Sequence, residues 1–191
     1  SAASDVYKRQ LGIEGVVVGN SMKKLHEDTI NSLSESMVNL GLVPLGVDET
    51  ISMMHYFEFF MHGTGHWLGL DVHDAGSTDV DGQPRKFKDG MVTTVEPGIY
   101  VRPTKPVIEF PLIERDPQKI RERRKQLGME KATILEKEEI SNAKTVKHEI
   151  PKDLLGIGVR IEDDIICTSD GPINMTEKAP KTIEEIEAIT S

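Results

Sequence analysis

One cysteine, Cys167, stands among the 191 residues. A single thiol cannot close an internal disulfide, and it fits a reducing compartment. Basic residues are in deficit: 23 Lys and Arg face 32 Asp and Glu, for a formal net charge of -9. That balance argues against a general nucleic-acid binder, which needs a basic face, and against docking on an anionic membrane surface. No apolar run is long enough for a membrane-crossing helix, and the start carries no signal-peptide pattern. The resulting expectation is a cytoplasmic protein with neither nucleic acid nor membrane as a partner. What is present is ordinary for a globular chain: 37% hydrophobic residues plus 16 glycines. The length fits one domain or a little more.

The first ten residues, SAASDVYKRQ, are small and polar, then basic, with no period. Asp5 to Gln10 back-translate into a transposon-end adaptor used in sequencing libraries. Residues 1–10 therefore read as a non-native artefact, with residues 11–191 as the remaining chain. GIEGVVVG at 12–19 carries a β-branched run that suits a strand. Asn20 or Ser21 then suits a helix cap. Met22, Leu25, Ile30, Leu33, Met37 and Leu40 follow at near-helical spacing, and Gly41 suits the position past the helix end. A second helix is predicted from Asp48, as cap, through Ile51, Met54 and Phe57, its Met and aromatic residues serving as core. MVTTVEPGIYV (91–101) and IGVRIEDDIICT (157–168) read as strands broken by turns. Thr182 and Glu185 have capping-box spacing before Ile183, Ile186 and Ile189. Residues 114–150 are close to half charged, with both signs interleaved. They read as solvated helix or loop, an insertion whose outer bounds are 114–153.

Histidine use is uneven. His62, His66 and His73 fall within MHGTGHWLGLDVHD, and imidazole is a good ligand for a first-row divalent metal. His62 and His66 are four apart, as in the H-E-x-x-H helix of zinc proteases. Gly63 occupies the place of the general-base Glu there, and Gly65 further disfavours a helix. The stretch reads instead as a strand where backbone approaches a ligand closely. Three histidines with Asp71 and Asp74 favour a site. Glu96 lies in an apolar run just before Pro97-Gly98, and Glu162 sits between Ile161 and Asp163-Asp164. On a buried strand face each would need a partner, and a metal is a good one. Spacing alone leaves the solvent face equally open to both.

HGTGHWLGLDVHDAG, GMVTTVEPGIYV and GIGVRIEDDIICT together resemble the C-terminal motifs of the proline-specific aminopeptidases (aminopeptidase P, Xaa-Pro aminopeptidase). They resemble prolidase slightly less. Both are "pita-bread" metallopeptidases. The resemblance spans about residues 12–113 and 154–189, and three motifs in order make it specific. It implies an α/β (α+β) fold, with a curved antiparallel sheet inside and helices outside. It implies two divalent cations, most often Mn2+, with Co2+ or Zn2+ as alternatives. By that resemblance His66, Glu96 and Glu162 are metal ligands, with Glu162 bridging. Glu96 also carries the proton as general base and acid. His62 and His73 match outer histidines that contact substrate, and Arg160 matches an arginine that supports the ligands. The implied reaction is hydrolysis of the N-terminal Xaa-Pro bond of peptides with proline in second position, by a protein that is a homo-oligomer at full length.

The resemblance also assigns two aspartate ligands upstream of His66, in a D-x(n)-D segment. The upstream aspartates are Asp5, Asp28 and Asp48. Asp5 lies in the suspected artefact, Asp28 is mid-helix opposite the apolar stripe, and Asp48 reads as a cap. The expectation is an N-terminally truncated catalytic domain, inactive alone. Two alternatives stand beside it: prolidase, which cleaves only dipeptides, and a pita-bread module that binds peptides without catalysis.

Overall fold

The computed structural model describes residues 12–191. The segment read as an artefact, 1–10, lies outside them. Contacts divide the chain into two compact units. One takes the chain up to Leu33, Phe60–Tyr100 and Gly158–Ser191, and the other takes Ser34–Phe59 and Val101–Ile157.

The first unit opens on helical residues 12–14 followed by turns through residue 19. The strand expected at 12–19 is therefore absent. Its valines do not alternate between faces: Val16 is buried, Val17 half-buried and Val18 exposed. Helix α1, Met22–Asn39, follows. Ser21 caps it, Oγ accepting from Lys24 N–H at 3.3 Å. The hairpins β1 (Leu68–Gly69) with β2 (Val72–His73) and β3 (Asp79–Val80) with β4 (Gln83–Pro84) come next. Two further antiparallel sheets carry the unit. β5 (Val92–Val95) pairs with β10 (Asp163–Thr168), which also pairs with β11 (Gly171–Asn174). β6 (Gly98–Tyr100) pairs with β9 (Gly158–Arg160). Ile13, Val16, Leu25, Trp67, Phe87, Val95, Ile165 and Cys167 form the core beneath them. Each large apolar side chain so buried stabilises the fold by about 1.5–3 kcal/mol. Helix α5, Ile183–Thr190, starts with the expected capping box of Thr182 and Glu185.

In the second unit α1 ends where the sequence indicates. Gly41 takes φ +67°, Leu42 N–H bonds Met37 O, and Gly41 N–H bonds Val38 O. This is a Schellman stop. The helix expected from Asp48 to Phe57 is instead two pieces: α2, Val47–Ser52, and a 3-10 turn, His55–Glu58. Met54 breaks them apart with φ 56°, in the left-handed region. Gly46, not Asp48, holds the N-cap position. β7 (Val107–Pro111) pairs with β8 (Thr145–Glu149). Between them lie α3, Pro117–Leu127, and α4, Met129–Asn142. Asp116 caps α3 through Gln118 and Lys119 N–H. The charged stretch thus carries two helices and a strand.

Candidate functional site

Every candidate site residue lies in the first unit. The β5–β10 ladder ends at Asp163 opposite Val95, and the β6–β9 ladder begins at Gly98 opposite Arg160. The two ladders share one register. Glu96 and Glu162 therefore stand opposite each other in the gap, as do Pro97 and Ile161. Pro97 has no N–H to give and so cannot take its part in a continuous ladder. Directly opposed strand residues hold their Cβ atoms about 4.5–5.5 Å apart, and like charges placed so repel. The sequence has set two carboxylates against each other where the sheet pairing lapses.

A third chain segment brings His66 to the same place. Residues 64–67 run beside β5: Glu96 N–H bonds Thr64 O at 2.7 Å, and Thr94 N–H bonds His66 O at 3.0 Å. Gly65 permits this approach, since a Cβ there would stand 2.0 Å from Thr94 O. The close approach expected in this stretch is thus backbone to backbone, not backbone to ligand. One ligand atom each from His66, Glu96 and Glu162 lies within 4.8 Å of the others.

The hydrogen bonds set the chemistry of each donor. His66 Nδ1 is 3.0 Å from Trp67 O. A carbonyl only accepts, so Nδ1–H donates to it and Nε2 is the ring nitrogen turned toward the acids. Nε2 faces Glu96 Oε1 at 3.6 Å. Thr94 Oγ1 donates to the same Oε1 at 3.1 Å and accepts from His66 N–H at 3.0 Å. Arg160 spans both acids, with Nη1 3.3 Å from Glu96 Oε2 and Nε 3.7 Å from Glu162 Oε2. Glu96 is only 12% exposed, whereas Glu162 is 39% exposed. An imidazole lone pair and two carboxylates, with one guanidinium between them, form a donor set that fits a divalent cation. The backbone carbonyl behind His66 is the outer support that metal-binding histidines use.

The outer histidines fall beside this cluster. His73 packs edge-on against His66, ring centroids 4.3 Å apart. His62 donates from Nδ1 to Gly63 O at 2.7 Å, and its Nε2 accepts from Tyr100 O–H at 3.0 Å. Asp71 and Asp74 do not join the cluster. Asp74 instead accepts from Gly76 N–H at 2.6 Å. Among the described residues the cluster holds no aspartate. Asp28 pairs with Lys24 on the exposed face of α1. Tyr100 and Thr94 were not singled out from sequence. Each lies in the MVTTVEPGIYV motif, but a Thr or Tyr on a strand is ordinary there.

Known proteins resemble the chain along most of its length. The profile of metallopeptidase family M24 matches residues 6–169. The chain is 36% identical over 175 residues to an Xaa-Pro aminopeptidase of Haemophilus influenzae, covering 92% of this chain and 30% of that protein. It is 34% identical over 171 residues to the Escherichia coli Xaa-Pro aminopeptidase, covering 90% and 29%. Among solved structures, Pseudomonas aeruginosa aminopeptidase PepP superposes with a TM-score of 0.71 at 31% identity, covering 98% of this chain and 33% of that one. A zinc-substituted E. coli aminopeptidase P in complex with product gives a TM-score of 0.70 at 30% identity, with the same coverage. The chain thus spans about a third of the length of these relatives, and its helices and antiparallel strands are part of their pita-bread fold. The chain belongs to metallopeptidase family M24.

Proposed function

We propose that this chain carries three of the five protein ligands of a two-cation site for hydrolysing the N-terminal Xaa-Pro bond of peptides. The convergence of His66, Glu96 and Glu162 supports the reading most strongly. Those three side chains would hold the metal, with manganese preferred and cobalt or zinc accepted. Divalent cations bound there would supply Lewis acidity at the scissile carbonyl and make water acidic enough to act at neutral pH. Glu96 takes and returns the proton, its carboxylate oriented by Thr94 and Arg160. His62 and His73 contact the peptide, with Tyr100 fixing the ring of His62. Developing charge on the carbonyl oxygen would be met by these imidazoles. An Xaa-Pro amide lacks an N–H, so a shaped pocket for the ring replaces main-chain recognition.

The relatives are Xaa-Pro aminopeptidases, which supports proline specificity, and their greater length supports a site completed by further chain. We assign two aspartate ligands to that further chain. The protein as a whole would be cytoplasmic and a homo-oligomer, acting on peptides. The 191-residue chain alone would hold one cation at most, because three protein ligands suffice for one zinc-type site, and would not turn over. An Xaa-Pro peptide assay with added manganese tests this on the chain and on a version extended upstream. Turnover only in the extended version is expected. Equal turnover in both would contradict the division of ligands, and turnover in neither would favour a peptide-binding module. Cleavage restricted to dipeptides would indicate prolidase.

A further inference from the structure

The most deeply buried acid of the first unit is not one of the three clustered side chains. Asp163 follows Glu162 directly and is 0% exposed. Alternation along a strand turns its side chain to the face opposite that of Glu162, the face that also buries Ile165 and Cys167. A carboxylate in such surroundings needs compensation. Lys181 supplies it: Nζ lies 2.9 Å from Asp163 Oδ1, and the lysine side chain is only 8% exposed. The ammonium also donates to Ala179 O at 3.1 Å and to Thr176 O. Its three protons are thus all engaged. Asn174 Nδ2 and Thr176 Oγ1 donate to the same Oδ1 at 3.0 and 2.8 Å. Thr176 Oγ1 in turn accepts from Asp164 N–H at 3.1 Å, and Asp164 O accepts from Met175 N–H at 2.8 Å.

This network grips the strand at one point. Asp163 and Asp164 are the first two residues of β10, and Glu162 is the residue just beyond the last ladder pair. On its other side, Ile161 N–H reaches Pro97 O at a long 3.4 Å. The firm support for Glu162 is therefore the Asp163 side. We infer that Lys181, with Thr176, is a positioning residue for Glu162. The buried ion pair clasps the segment after β11 to the start of β10 and fixes the aim of the exposed carboxylate into the gap. This rests on the reading of His66, Glu96 and Glu162 as a metal site. Support of this kind behind a metal ligand typically changes affinity about 10–100-fold.

Cobalt titration of the 191-residue chain tests it, followed by visible absorption, with far-UV circular dichroism confirming that each variant is folded. Lys181→Met leaves Asp163 without its cation. The expected result is at least a 10-fold loss of Co2+ affinity and a changed visible band in the folded variant. Should Lys181→Met fail to fold, Thr176→Val removes only the hydroxyl. It is expected to weaken Co2+ binding, while Thr176→Ser restores it. Folded Lys181→Met or Thr176→Val that binds Co2+ as the parent does would overturn the positioning role and leave the metal site standing. Equal weakening by Thr176→Ser and Thr176→Val would overturn it as well. A parent chain that takes up no Co2+ would overturn the metal site, and the positioning role with it.

Discussion

In the helical hairpin α3–α4 two acids, Glu136 and Glu139, each meet an arginine of their own, whereas at the break between the two strand ladders two acids share one. Arg124 holds Glu136 through Nε and Nη2 at 3.1 and 2.8 Å, and Arg123 reaches Glu139 at 2.7 Å. Arg160 must serve both Glu96 and Glu162, at 3.3 and 3.7 Å. The same residue types thus end as a balanced, structural pairing in one place and as an unbalanced, cation-seeking one in the other. Charge density by itself does not mark a site. Opposed carboxylates with too few cations do.

The largest effect expected is at Gly65, where the third strand-like segment meets β5. Gly65→Ala forces a methyl to within 2.0 Å of Thr94 O, so urea unfolding should show a loss above about 4 kcal/mol, the range reserved for severe steric conflicts. A loss under about 1 kcal/mol would mean the close approach is not as described. Arg124→Met comes next. It leaves the buried Glu136 carboxylate without its guanidinium, at a cost of about 1–3 kcal/mol by the same measurement. The matched change at the site should behave oppositely. Glu162→Gln removes one of two opposed like charges, so metal-free stability should hold or rise by about 0.2–1 kcal/mol. The stabilisation that manganese gives the parent should vanish in it. If Glu162→Gln destabilises the metal-free chain as Arg124→Met does, the contrast between the two regions fails.

The smallest effect is a pH dependence in the second unit. His55 is buried, its Nε2 donates to Pro111 O at 2.8 Å, and its Nδ1 has no hydrogen-bond partner. Burial pushes its pKa below the ordinary 6.5, with the Pro111 contact opposing in part. The unfolded chain then binds the proton more readily than the folded one. The stability held by neutral His55 is complete above about pH 6.5 and declines as the pH falls toward the lowered folded value. Urea unfolding between pH 8 and 5 should show this slope, and His55→Phe should flatten it. An unchanged slope in that variant would place the proton uptake elsewhere.

Much of the site was legible because its residues sit inside contiguous motifs. His66, Glu96 and Glu162 could be named from three short strings without any knowledge of register. What the strings could not show is that one register runs through both ladders and sets Glu96 opposite Glu162. Pairing is a property of two distant segments, and no local pattern records it. Asp163 was passed over for a related reason. In IEDD it reads as one more acid in a polar run, and its partner Lys181 lies beyond a strand and a turn. The valines at 16–18 misled because β-branched residues favour strands only where a neighbouring strand exists to pair with. In the charged stretch the sign of the side chains drew attention from their alternation. Val146 and His148 are half-buried while Thr145, Lys147 and Glu149 are exposed. That period of two is the strand signal, and it was present in the sequence.

The central claim is that the ladder gap between Glu96 and Glu162 is a cation site completed by His66. Anomalous diffraction at the manganese edge, from crystals of this chain grown with a manganese salt, tests it most directly. The account predicts one peak bounded by His66 Nε2 and the carboxylates of Glu96 and Glu162, at about 2.0–2.2 Å from its nearest ligand atoms, as for zinc-type bonds. A chain that leaves this gap without a peak while the metal scatters from another position would contradict it.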